Sequence, residues 1–423
     1  MKLIQQVKNQ LMYPAAYTYI ALQSKLNACK SLGKKDQVKF AEPYAGQKIM
    51  LMALYEKGRL RDDVIAALAA AKALGIYVIG VNTLKLASPD DYRHCMDCYI
   101  ERFNFGRDFG SYKSGFSYIY SNGLAEQCPR LLMINDSVFF SKKHISQFLQ
   151  DMFVDDVEVL GATENFEIEH HLGSFCIAMD NGVLKNTKFK KYWKDYRCSD
   201  VRPVVIKTGE MELSKVLKKV ISSPDNFRAL YDTTHAALTL KSDPELLDQV
   251  GQLARSSTLV DWPRFSFSAI SKNIVAQYLH SSAVVAGAAV NVEVDQLSSI
   301  NLQYVSSVSE FHDFLCNSIS SAGELDSSLS ETIRNEVIAN CIACFAQGSQ
   351  IHQNNVFLHR IGLPIIKLDG LYRGMFSERD IEKLAEDLVQ SQQEEFRRIM
   401  YSRPFGGSVL YGWKRTAFYR GLI

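Results

Sequence analysis

Between residues 48 and 222 the chain alternates between unbroken apolar runs of strand length and segments whose apolar residues recur every three or four positions. "KIMLMALYE" (48–56) and "IYVIGVN" (76–82) are continuous runs, the pattern of strands buried on both faces. Between them "RLRDDVIAALAAAKALG" (59–75) sets Leu60, Val64, Leu68 and Ala71 on one helical face and stops at Gly75. Strand, helix and strand with short joints predict a parallel pair and a right-handed crossover. The alternation continues with a short strand ending near Asn104 and a helix through "GSYKSGFSYIYSNGL". Next come a strand at 129–140, short strands in "EVLGAT" (158–163) and "GSFCIAM" (173–179), and helices at 188–196 and 209–220. The expected fold is α/β: a Rossmann-like, mostly parallel sheet flanked by helices.

The flanks read differently. Residues 1–47 predict a peripheral helical segment and a polar linker (31–47), residues 48–225 the α/β domain, and 226–423 an α-rich region facing an acceptor or a membrane. In that last region "SDPELLDQVGQLARS" and "SERDIEKLAEDLVQSQQEEFRRIM" are amphipathic, the second opening on the capping pair Ser377 and Asp380. "GLPIIKL" (362–368) has strand character, and the serines of 306–330 suggest a loop.

Composition narrows the classes. The chain has 423 residues, 47% hydrophobic and 22% charged, with a formal charge of +2, so neither wholesale disorder nor a nucleic-acid partner is expected. The N-terminus lacks the pattern of a secretory signal, and the longest near-apolar run, "AVVAGAAV" (283–290), falls far short of the ~20 residues that span a bilayer. A cytoplasmic protein is expected, peripheral on the inner face of the cytoplasmic membrane. Nine cysteines without framework spacing suit free thiols. Cys95 with Cys98 and Cys341 with Cys344 have CxxC spacing, but the pairs lie roughly 240 residues apart and the second sits in an apolar segment, where cysteine serves as a small hydrophobe. The tail "FGGSVLYGWKRTAFYRGLI" (405–423) mixes rings with Lys414, Arg415 and Arg420, which suits either an anionic membrane face or a final helix packed on the core.

Ligands of such sheets bind beyond the carboxyl ends of the strands. Polar residues gather there: Tyr55 and Glu56 after the first strand, Arg107 and Asp108 after the third, Asn135, Asp136 and Ser137 after the fourth. Asp136, at the end of a buried strand, is placed to hold a divalent cation (Mg²⁺ or Mn²⁺) or a ribose hydroxyl, or to cap its own turn. Glu210 and Glu212 stand at an expected helix start, where the dipole favours carboxylates and where one of them could serve as a general base. His170 and His171, beside the turn that carries Ser174, are expected to line the donor or acceptor pocket.

In order, "MLMALYEKGRLRDDV", "NFGRDFGSYKSGF", "LLMINDSVFF", "VLGATEN", "HHLGSFCIAM", "KYWKDY" and "GEMELSKVLKKV" resemble the rhamnan synthesis protein F family of bacterial polysaccharide glycosyltransferases, with a looser echo at 349–374. The resemblance implies a GT-A-like fold and inverting transfer of a sugar, with a lean towards rhamnose, from a nucleotide-sugar donor to a lipid-linked or growing glycan such as O-antigen or capsule. It implies that Asn104, Gly106, Arg107, Asp108 and Lys113 embrace the nucleotide and diphosphate, that Asp136 holds the metal, and that Glu210 is the base. Three positions depart from the pattern: Asn135 replaces a first aspartate, Gly209 the first member of an acidic pair, and Gly173 an expected glutamine. A non-catalytic glycan-binding or scaffold subunit of a polysaccharide assembly complex is the alternative.

Overall fold

A computed structural model describes residues 2–271, 305–319 and 327–423; the run at 283–290 lies outside them. Its centre is an eight-stranded mixed sheet. The strands are β1 (Gln37–Ala41), β2 (Ile49–Leu54), β3 (Tyr77–Asn82), β4 (Cys98–Glu101), β5 (Arg130–Asn135), β7 (Val159–Gly161), β10 (Cys176–Asp180) and β11 (Phe227–Ala229), in the order β1-β4-β3-β2-β5-β10-β7-β11. Neighbours β4, β3, β2 and β5 run parallel, as do β7 and β11, while β1 and β10 run against their neighbours. Four short strands among the described residues lie outside this sheet: β6 (Val138–Phe140), β8 (Glu164–Asn165), β9 (His171–Leu172) and β12 (Ile365–Lys367).

The unbroken apolar runs have the expected cause. Every residue of β2 and β3 is buried, and alternate side chains enter two cores. Ile49, Leu51 and Ala53 join the core under helix α3 (Arg107–Ser121), where Phe116 stacks on Trp193 at 4.5 Å. Gly115 lets α3 close on β2, since a Cβ there would run into the Leu51 side chain. Met50, Met52 and Leu54 join the opposite core, which also holds helix α2 (Asp62–Ala73) and C-terminal residues such as Phe376 and Phe396.

The C-terminal region is mainly helical and docks through main-chain pairing as well as apolar contact. Strand β12 (Ile365–Lys367) pairs antiparallel with β6, Ile366 opposite Phe139. Gln392 accepts from the Lys142 N–H at 2.7 Å and donates to the Phe140 carbonyl at 2.9 Å. Ser377 and Asp380 form the expected capping box.

Local expectations are corrected at three places. The 31–47 linker contains β1, which gains its partners from the β4 edge rather than from its own mostly polar sequence. The run at 129–140 breaks at Asp136–Ser137 into β5 and β6, so the polar turn lies inside it. The serine-rich stretch carries helices at Val308–Ile319 and Ser327–Phe345. The tail forms a helix, Gly412–Tyr419, against α1 (Lys2–Ser31): Ala16, Ala417 and Leu422 share a small core, and Trp413 meets Tyr19 edge-on at 5.4 Å. Among the described residues no helix is long and apolar enough to cross a membrane.

Candidate functional site

A cavity of about 1050 Å³ opens beyond the C-terminal ends of β2 and β5. Of the residues singled out in the sequence, Tyr55, Glu56, Asn104, Arg107, Asp108, Asn135, Asp136, Ser137, His171, Ser174 and Glu210 line it. Three do not. Lys113 donates to the carbonyls of Tyr196 at 2.6 Å and Lys194 at 3.1 Å, which turns its ammonium away. His170 stacks on Phe166 outside the cavity, its centroid 4.9 Å away. Gly106 works through its backbone: at φ +91° it caps α3, and its N–H donates to the Asp200 carboxylate at 2.8 Å.

The strand-end wall is acidic. The Tyr55 N–H donates to Asp136 Oδ2 at 2.6 Å. Glu56 is fixed by Asn82, which accepts from its N–H at 3.1 Å and donates to its carbonyl at 2.8 Å, while Arg61 pairs with its carboxylate at 3.0 Å. Burial pushes Asp136 up to about 8, with Glu56 adding to the rise, and lifts Glu56 to about 7 against the pull of Arg61. At neutral pH the two carboxyls therefore retain a proton between them. Asp108 accepts from the Asn135 amide at 2.9 Å, and burial raises its pKa although Lys367 and Arg107 oppose the rise. Asn135 in turn accepts from the Ser137 hydroxyl at 2.6 Å, so the Asn-Asp-Ser turn is braced from within.

Arg107 carries local strain. It has φ +51°, directly after the left-handed Gly106, a backbone state that costs a residue with a Cβ roughly 1–2 kcal/mol. Its Nε donates to the Asp200 carbonyl at 3.0 Å, which aims the guanidinium along the rim.

Glu210 does not stand at a helix start. The helix begins at Arg202, widens into a π-type segment at Ile206–Met211, and resumes at Glu212–Lys218. Macrodipole stabilisation is therefore not the reason for a carboxylate here. The Tyr192 hydroxyl lies 3.2 Å from the carbonyls of both Thr208 and Gly209, serving acceptors in the wide turn. Glu210 Oε2 sits 3.8 Å from His171 Nε2. His171 Nδ1 is 2.7 Å from the Glu169 carbonyl and must donate to it, which leaves Nε2 to face Glu210.

Two sequence departures have a steric cause. A Cβ at position 209 would meet the Phe109 ring at 2.9 Å, and one at position 173 would meet the Phe175 ring at 2.5 Å. Glycine stands at both positions because an aromatic ring occupies the space.

Sequence reasoning missed the opposite wall. Arg202, His352, Lys367, Asp369 and Arg373 also line the cavity, joined by Trp262, Tyr372, Phe405 and Tyr419. The Lys367 ammonium lies over the Phe175 ring at 4.5 Å and 3.5 Å from Ser137 Oγ. Asp369 pairs with Arg373 at 2.5 Å and His352 at 3.2 Å; burial works to raise its pKa, yet His352 and Arg373 hold it well below the usual carboxylate range. The signal for this wall was the stretch at 349–374, noticed as a whole but not resolved into residues.

Residues 76–284 match the family described as rhamnan synthesis protein F (RgpF). The uncharacterized protein y4gN of Sinorhizobium fredii is 25% identical over 171 residues, 39% of this chain and 44% of that protein, so this chain spans less than half the length of that relative. Among solved structures, the glycosyltransferase GlyE of Streptococcus pneumoniae overlaps 47% of this chain and 50% of its own at 10% identity and a TM-score of 0.26. The mannosyltransferase PcManGT of Pyrobaculum calidifontis, solved with GDP-Man and Mn²⁺, overlaps 80% of this chain and 98% of its own at 9% identity and a TM-score of 0.21. Scores this low carry no structural argument.

Proposed function

We propose that this chain, matched over 76–284 by the rhamnan synthesis protein F family, is a GT-A-like glycosyltransferase that moves a sugar from a nucleotide-sugar donor to a growing cell-surface glycan with inversion. The family match supports the glycosyltransferase role, and rhamnose is the sugar its description suggests. The observation that carries the reading is convergence. Arg107, Asp108, Asp136 and Glu210 come from separate elements and line one cavity at the strand ends, where doubly wound sheets bind ligands. Residues 48–225 then supply most of the donor site, while the C-terminal region closes the cavity and faces the acceptor.

In this reading the Glu210 carboxylate takes the proton of the acceptor hydroxyl as that oxygen bonds to the anomeric carbon. The bond from that carbon to the diphosphate oxygen breaks, and its electron pair leaves with the nucleoside diphosphate. His171 donates from Nδ1 to the Glu169 carbonyl, which fixes the ring with Nε2 facing the Glu210 carboxylate.

Asp136, with Glu56 beside it, suits a divalent cation held jointly with the donor. Two buried carboxyls sharing a proton carry a repulsion that a cation relieves, and Mg²⁺ or Mn²⁺ takes one or two carboxylates plus phosphate oxygens. When bound, such a cation supplies charge neutralisation to the departing diphosphate. Arg61 fixes Glu56, and the Tyr55 N–H fixes Asp136, whatever else is present.

The test is a panel of nucleotide sugars incubated with the protein and a glycan acceptor, read as released nucleoside diphosphate and as the anomeric configuration of the product. Inverted product with stoichiometric diphosphate supports the reading. Donor binding without release, across the panel, would instead establish a non-catalytic glycan-binding subunit.

A further inference from the structure

We infer that Arg202, Lys367 and Arg373, together with Arg107, form a fixed-cation clamp for the diphosphate of the donor, independent of any metal held at Asp136. This rests on the transferase reading for the identity of the ligand, though not for the existence of an anion site.

All four residues line the same cavity. Among the described residues Lys367 has no carboxylate within ion-pair distance; its ammonium lies over the Phe175 ring at 4.5 Å and 3.5 Å from Ser137 Oγ. Arg202 makes one weak contact, to the Gly421 carbonyl at 3.4 Å, and Arg107 spends a single N–H on the Asp200 carbonyl. Of the four, Arg373 alone is ion-paired among the described residues, with Asp369. The cations also oppose one another. Burial pushes Arg202 down to about 10, with Arg373 adding to the fall and Asp369 and Glu210 opposing it; burial also lowers Lys367, although Asp369, Glu210 and Asp108 oppose that fall.

A buried guanidinium and ammonium with carboxylates nearby, but none in direct ion-pair contact, recover only part of the hydration they lose. Such an arrangement is stable enough to persist only because the surrounding fold imposes it, and it is completed by an anion with several acceptor oxygens. Arginine presents forked donors to phosphate, while lysine acts as a point charge. Ser137 places Lys367 at the Asn-Asp-Ser turn, so a diphosphate bridging the two walls would meet Asp136 chemistry on one side and this cluster on the other. A bare cluster of surface lysines would not make this case. Here the charges sit in a cavity, and Lys367 stands on β12, which is locked by its pairing with β6.

The experiment is calorimetric titration of the full chain with inorganic pyrophosphate in EDTA, repeated on Lys367→Met and on the double variant Lys367→Met/Arg202→Gln, with nucleoside diphosphate as competitor. Pyrophosphate should bind without metal and be displaced by nucleoside diphosphate. Its affinity should fall roughly 10- to 100-fold in the double variant, the scale of one or two charge-assisted hydrogen bonds. Unliganded Lys367→Met should melt above the parent protein, because a buried charge with no direct ion pair has been removed. Binding that requires Mg²⁺, binding that nucleoside diphosphate does not displace, or variants that bind as tightly as the parent would each overturn the clamp and leave sugar transfer untouched. Pyrophosphate bound at these residues in a protein that turns over no nucleotide sugar would keep the clamp and sink the transferase reading.

Discussion

The two walls of the cavity are built on opposite terms. The strand-end wall presents Glu56, Asp108 and Asp136, carboxyls whose pKa values burial drives up. The C-terminal wall presents Arg202 and Lys367, cations that burial drives down. Each wall alone is unfavourable, since either set would be more stable in water or in direct ion pairs. The fold keeps most of these opposite charges on separate walls instead of pairing them. A polarised cavity of this kind needs little reorganisation when a ligand with separated charge enters, which is the condition for electrostatic preorganisation. The strand-end wall also differs in origin: it comes from strand ends close in sequence to the sheet core, whereas the other wall is delivered by residues 202–210 and 349–373.

Glu210 stands where the walls meet, so its removal is the sharpest break. Glu210→Gln keeps the size of the side chain and the Gly209–Phe109 contact while deleting the carboxylate proposed as the base. Turnover should fall by roughly 10²- to 10⁴-fold with nucleotide affinity unchanged. Measuring nucleoside diphosphate release beside calorimetric donor affinity checks both halves, and near-parent turnover in this variant would remove Glu210 from the mechanism.

The same contrast explains what the sequence revealed. β2 and β3 were legible because burial on both faces writes an unbroken apolar run, and the Arg107–Asp108 and Asn135–Ser137 loops followed from their position at strand ends. The wide turn under Glu210 was not legible, because it is imposed by packing. Gly209 lies under the Phe109 ring, and Tyr192 serves the carbonyls of the turn from another helix. Nor was the role of Lys367, since its meaning comes from the pairing of β12 with β6 some 225 positions earlier in the chain, which no local period encodes. Lys113, which the family resemblance placed at the diphosphate, misled for the converse reason: α3 turns it toward the carbonyls of Lys194 and Tyr196.

A smaller effect should come from Asp108, which faces Lys367 across the cavity and holds the Asn135 amide. In Asp108→Asn the amide contact can be remade by a flipped side chain, but the charge opposing Lys367 is gone. Nucleoside affinity should weaken roughly tenfold, as for one hydrogen bond to a charged group. Pyrophosphate affinity should hold or rise, because the cationic wall has lost a competitor. Parallel loss of both affinities would show that the two walls do not act separately.

The smallest effect is on stability and has a definite sign. Asp136 and Glu56 have folded pKa values near 8 and 7, well above the ordinary carboxylate range, so the folded state binds more protons than the unfolded chain between about pH 4 and 8. Stability from this pair is therefore fully present at the acid end of that window and declines as pH rises through it. Asp136→Asn removes the titration and leaves an amide that can neither ionise nor repel Glu56. The variant should match the parent near pH 5 and melt a few degrees above it near pH 8, in thermal denaturation without added nucleotide or metal. The Tyr55 N–H still finds an oxygen acceptor in the asparagine, so the β2–β5 junction is preserved. A variant that melts lower at pH 8 than at pH 5 by as much as the parent does would show that this pair is not what makes the strand-end wall costly.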